Sequence, residues 1–136
     1  MRIVYCIPAT SNSGGMERVL TRKVNYLVEQ GHELIIVTTD QKGAKPFFPL
    51  EGSVKQYDLG INYDENNGQG ILAKLTAYPK KKRLHRQRLR ELLEQLQADV
   101  VISMFGDDAT LLPQMKDGSR KVLEYHFSKL KDRKSV

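Results

Sequence analysis

A single cysteine, Cys6, excludes an intrachain disulfide. It lies inside an apolar run, where a buried thiol is expected rather than a nucleophile, and a reducing compartment fits that usage. At 136 residues the chain makes one domain at most, of a size that buries a core without covalent staples. Long apolar runs are missing too. Residues 3–7 and 34–37 are far too short to span a bilayer, and 3–7 is too short for a signal segment, so the chain is expected to be soluble and cytoplasmic. With 40% apolar and 28% charged residues and no low-complexity tail, it falls outside the disordered and collagenous classes. Neither G-x-G-x-x-G nor a Gly-Lys-Ser/Thr loop occurs, which weakens dinucleotide and P-loop assignments. His32, His85 and His126 stand far apart and Asp107-Asp108 stands alone, so no metal-ligand spacing is present.

Acidic residues are absent from 80–90, which holds Lys80, Lys81, Lys82, Arg83, Arg86, Arg88 and Arg90. That segment accounts for the whole formal charge of +6. The rest of the chain is close to neutral.

What is present organises around residues 3–20. The β-branched run Ile3-Val4-Tyr5-Cys6-Ile7 breaks at Pro8, passes through small polar residues and Gly14-Gly15, and becomes periodic at helical spacing, which reads as strand, loop and helix N-terminus. The first N–H groups of a helix lack intrahelical partners and sit at its positive end, and glycines let a bulky anion approach the backbone. A tight turn that needs glycine for its backbone angles reads equally well from spacing alone.

Met16, Val19, Leu20, Val24, Leu27 and Val28 make an apolar stripe that stops at Gly31, where a left-handed cap is expected. Residues 34–39 then form a second strand, parallel to the first by a right-handed crossover. Residues 41–52 read as a loop and 54–58 as a third strand. Residues 61–78 have no convincing period, and an irregular excursion is expected there, with room for a short helix over 71–77. Residues 80–97 read as a long helix with Leu84, Leu89, Leu92, Leu93 and Leu96 toward the sheet. Its basic residues, placed at the N-terminus, would oppose the helix dipole. Residues 99–104 read as a buried parallel strand and, after a turn and short helix, 121–125 as the next strand. The fold class is α/β, a doubly wound parallel sheet, whose ligands sit at the carboxyl edge. Such a domain normally continues past its fifth strand, so residues 1–136 are expected to be one domain of a longer protein.

"GGMERVL", the "LVEQGHELIIVTT" that follows it, "ADVVIS" after a charged helix and "LEYH" after the next strand resemble, in order and spacing, the amino-terminal domain of retaining GT-B glycosyltransferases of family 4. The resemblance runs from residue 1 to about residue 127. It implies a Rossmann-like domain, the acceptor-side half of a two-domain enzyme that moves a sugar from a nucleotide-diphosphate sugar to a glycan or lipid-linked acceptor. It implies that Gly14 and Gly15 approach donor diphosphate or the transferred sugar, and that His126 lies by that sugar as the catalytic residue. Asn12, Asp107 and Asp108 are acceptor-side candidates, with helix capping the plainer role for the two aspartates. The mechanism implied is front-face transfer through an oxocarbenium-like transition state, with no metal and no cofactor beyond the donor substrate. The donor-binding domain is not found in these residues, so the isolated chain is expected to be inactive.

Lys80, Lys81, Lys82, Arg83, Arg86 and Arg90 are then candidates for a face toward anionic membrane, which would make the protein peripheral at the inner membrane surface. A competing class is a nucleic-acid-binding domain using the same cations. It lacks interleaved aromatics and any recognition motif. A third class, a small-ligand module of receiver or flavodoxin type, lacks the acidic residues a receiver places after its first strand, and any flavin signal.

Overall fold

The computed structural model describes residues 1–11, 14–62, 71–104 and 111–124, with backbone alone for 71–74 and 76. Strand β1 (Arg2–Cys6) leads to helix α1 (Gly15–Glu29), β2 (Glu33–Thr38) and β3 (Lys55–Asp58). Helix α2 (Ile71–Leu96), β4 (Val100–Ser103), a 3₁₀ turn (Leu112–Gln114) and β5 (Arg120–Leu123) follow. All four strand pairings are parallel and the order is β3-β2-β1-β4-β5. The domain is a Rossmann-like α/β sheet, with each expected strand found within two residues of its place.

Alternation explains why the strands read as continuous apolar runs. On β1, Val4 and Cys6 face one side, where with Ile35, Val37 and Val101 they pack against Leu89 and Leu93 of α2. Ile3, Tyr5 and Ile7 face the other side, where with Leu34, Ile36 and Ile102 they pack against Leu20 and Val24 of α1. Both faces are covered, so most of these positions are apolar, and the buried polar side chains on these strands, Thr38 and Ser103, stand at the carboxyl ends of β2 and β4. The edge strand β3 is exposed along its whole length. Its anchors are the flanking Val54 and Leu59, both buried.

Helix α1 ends as its sequence suggests. Gly31 takes φ +92°, its N–H donates to Val28 O, and the His32 N–H donates to Leu27 O, the paired bonds of a Schellman motif.

Helix α2 does not begin at residue 80. It runs unbroken from Ile71 through Pro79, so the short helix expected over 71–77 is the start of one long helix, while residues 63–70 of the irregular excursion expected over 61–78 lie outside the described residues. Proline removes one N–H, which orphans the carbonyl four residues back. That residue is Leu75, 65% exposed, so the lost bond lies at the surface of the fold and not in its core. The basic residues therefore lie in the middle of the helix, and the expected dipole penalty does not arise.

The 26 residues of α2 extend roughly 39 Å at 1.5 Å per residue. A six-residue strand such as β2 spans only about 20 Å. Because α2 feeds the start of β4, its Leu84–Leu96 half lies over the sheet and its first half projects past the carboxyl edge.

Candidate functional site

Everything that follows a parallel strand emerges at one edge, and β1, at the centre of the order, delivers the glycine pair there. Gly14 caps α1 in extended backbone, at φ −70° and ψ 171°, and Gly15 is the first helical residue. Neither has a positive φ. The turn that would demand glycine for its angles is therefore not the reason for this pair. Among the described residues a Cβ on Gly15 would meet nothing within 4 Å. A Cβ on Gly14 would stand 2.7 Å from Glu17 Oε1. The Glu17 carboxylate thus folds back over the helix start, at the third helical position where a capping-box acid sits and where the positive end of the dipole favours it. The sequence reading did not single out Glu17, although a Gly-x-x-Glu spacing before an apolar stripe was the available signal.

The loops beside the glycines are tied by side-chain amides. Gln41 Oε1 accepts from the Thr10 N–H at 2.8 Å and from Thr10 Oγ1 at 3.2 Å, and Gln41 Nε2 donates to Ala44 O at 2.8 Å. The Phe47 N–H donates to Thr10 O at 2.8 Å, which fastens loop 41–52 to the loop after β1. Thr10 and Gln41 are both buried, so each polar group must be matched inside the fold. Further along, Asn25 of α1 donates through Nδ2 to Pro49 O at 3.0 Å and accepts the Glu51 N–H at 2.9 Å. Asp58, at the end of β3, accepts from Thr38 Oγ1 at 3.1 Å and, more distantly, from the N–H groups of Gln41, Lys42 and Gly60. Lys42 is thereby held at φ +53°, a backbone that only a well-anchored non-glycine residue adopts.

Across the edge, Lys23 of α1 pairs with Glu124, the residue after β5, at 3.0 Å. Burial, reinforced by the nearby Glu124 charge, pushes the Tyr5 phenol above its ordinary range and keeps it neutral. On the opposite edge, the Asp117 side chain is 2% exposed and takes hydrogen bonds from Lys121 Nζ at 2.6 Å and Ser119 Oγ at 2.8 Å. Burial alone would raise its carboxyl, but those hydrogen bonds and the Lys121 charge outweigh it and hold the group below the usual carboxylate range. Among the described residues no group of three or more His, Cys, Asp or Glu side chains is placed to hold a metal ion.

The basic residues of α2 do not form one face, because successive residues on a helix turn by about 100°. Lys81 donates to Asn62 O, and Arg88 donates to Leu59 O and Gly60 O, so these two hold the loop after β3. Lys82 stands 6.0 Å from the Tyr78 ring centroid. Arg86 is half-buried, its Nε enclosed with no hydrogen-bond partner among the described residues. Lys80, Arg83 and Arg90 are exposed. His85, buried, belongs to the core under the same helix.

Of the expected site residues, Gly14 and Gly15 are placed at the carboxyl edge, whereas Asn12, Asp107, Asp108 and His126 lie outside the described residues. No helix among the described residues is long and apolar enough to cross a membrane.

A family model described as Glycosyltransferase Family 4 matches residues 13–135. No curated protein matches the chain. Among solved structures, a crystal structure of UDP-galactose 4-epimerase is similar at a TM-score of 0.40 and 18% identity over 76% of this chain. This chain spans 37% of that one.

Proposed function

Since the chain belongs to glycosyltransferase family 4, we propose that it is the amino-terminal, acceptor-side domain of a retaining GT-B enzyme. That enzyme transfers a hexose from a nucleotide-diphosphate sugar to a glycan or lipid-linked acceptor. The observation that carries this reading is Gly15: no backbone angle and no neighbour among the described residues requires glycine there, which leaves room for a ligand at the helix start. Glu17 refines it. A carboxylate already occupying the helix start repels a diphosphate, so the glycine pair faces the transferred sugar, whose hydroxyls Glu17 can accept.

In this reading the second domain supplies the nucleotide contacts and the cations that stabilise the leaving diphosphate, the largest electrostatic contribution to transfer. This domain supplies a surface from which water is excluded and, through His126, a hydrogen bond to a hydroxyl of the transferred sugar. His126 follows Glu124 by two positions, and Glu124 is paired with Lys23 of α1. Asn12, Asp107 and Asp108 orient the acceptor hydroxyl from the neighbouring loops.

The test is Gly15→Val in the full-length protein. A Cβ branch there has room in the free domain, so the unfolding midpoint stays where it is while kcat/KM for the nucleotide sugar falls at least tenfold. Undiminished donor use by that variant would sink the reading. His126→Ala should lower turnover more than stability.

The membrane reading rests on the projecting half of α2, which exposes Leu75 and Tyr78 together with Lys80 and Arg83. Two apolar anchors beside cations suit the interface of an anionic bilayer, where each Lys or Arg contributes roughly 1 kcal/mol. The protein should then cosediment with vesicles containing anionic lipid and release in salt. Tight, base-sequence-dependent binding to an oligonucleotide would favour the nucleic-acid reading instead.

A further inference from the structure

Phe47 is 58% exposed on a loop that is otherwise tightly fastened. Its own N–H is bonded to Thr10, the preceding stretch is clamped by Gln41, and the following stretch is clamped by Asn25. The ring is therefore held out to solvent by a rigid support. Phe48 meets it edge-on, with centroids 4.9 Å apart and planes at 76°. The Arg18 guanidinium stands 5.7 Å from the Phe48 centroid, and Arg18 is three residues past Gly15 on the first turn of α1. Ring, cation and glycine pair thus share one corner of the carboxyl edge.

Resting on the transferase reading above, we propose that Phe47 is the floor of the acceptor subsite and stacks beneath a pyranose ring of the acceptor, with Arg18 donating to that sugar's hydroxyls. The chemistry selects the ring. A pyranose has an apolar C–H face and a rim of hydroxyls, so it covers the negative face of an aromatic ring while its polar groups stay with water or the guanidinium. A nucleobase is held most firmly between two faces, and among the described residues no second aromatic ring is recorded against Phe47 apart from Phe48, which meets it edge-on. A bare acyl chain has no use for the cation.

The experiment titrates the isotope-labelled 136-residue chain with methyl pyranosides of glucose, galactose, mannose and N-acetylglucosamine, and separately with uridine, while following the Phe47 ring and Arg18 Nε signals. At least one pyranoside should shift both signals saturably. Phe47→Ala should weaken that binding at least tenfold without moving the thermal midpoint, and Phe47→Trp should retain it. Octyl glucoside, used below its micellar concentration, separates the two sources of such a ring. Affinity equal to methyl glucoside marks a soluble glycan, and a tenfold gain marks a lipid-linked one. The proposal is overturned if no pyranoside moves Phe47, if Phe47→Ala binds as well as the native chain, or if uridine alone moves the ring. In the full-length protein, Phe47→Ala should raise KM for acceptor and leave KM for donor alone. Transfer with an unaltered acceptor KM rejects the platform and keeps the transferase reading. A pyranoside response in a protein that uses no sugar nucleotide rejects transfer and keeps the platform.

Discussion

The two helices cover one sheet from opposite faces, but only one of them fits it. Helix α1 has 15 residues, about 22 Å, close to the length of the strands beneath it. Helix α2 has 26 and overshoots the carboxyl edge by more than two turns. Where a helix matches its sheet, burial accounts for its length. In the excess of α2, the described side chains Leu75 and Tyr78 are exposed rather than part of the core. That half needs a purpose outside the core, and the membrane reading supplies one.

Truncating the docked half of α2 should have the largest effect. Leu93→Ala removes a side chain with no exposed surface, and unfolding in urea should show a loss of about 2–5 kcal/mol. A loss below 1 kcal/mol would mean that α2 is not packed on the sheet as described.

Asp117 lies across a groove from that docked half, sharing its lining with Arg90, Leu93 and Glu94. Asp117→Asn should cost about 1.5–3 kcal/mol at pH 7, since it weakens charge-assisted bonds from Lys121 and Ser119. The carboxyl is held below its ordinary value in the folded chain. Its stabilisation is therefore complete above the unfolded value of roughly 3.9 and is lost as pH falls through the folded one. The gap between native protein and variant should begin to narrow below about pH 4 and close as pH falls through the folded value, and a gap independent of pH would discount the ion pair.

At the C-terminus of α1, Gly31→Ala places a Cβ at φ +92° and should cost about 1–2 kcal/mol in thermal or chemical unfolding. Smallest of all is the projecting half: Leu75→Ala with Tyr78→Ala should change stability by less than about 0.5 kcal/mol. The same double variant should lose binding to anionic vesicles. A large stability loss from it would show that the overhang is packed after all, and the comparison between the helices would fail.

The strands were legible because a parallel strand buried on both faces is apolar at nearly every position, which Val4 to Ile7 and Leu34 to Val37 display directly. The α1 stripe and its glycine cap were legible for the same kind of reason, a local period with a local stop. The first half of α2 was not. Leu75 and Tyr78 there are exposed and set no core period, and Pro79 reads as a break although the helix runs through it. At the site, the glycine pair was visible in sequence, but the choice between a turn requirement and an open approach was not. The glycines look alike on paper, yet Gly31 needs its angle and Gly15 does not.

By itself, then, the sequence determined the order of elements, the parallel sheet, both core faces and the place of the glycine loop, because each follows from short-range pattern and from which positions exclude water. The tertiary structure decided what long side chains do across large separations. Gln41 meets Thr10 and Lys23 meets Glu124, while Arg88 and Lys81 turn from a supposed charged surface to the carbonyls after β3. No local period encodes such pairs. They depend on where the ends of distant strands come to lie, and that is set only when the whole sheet closes around β1.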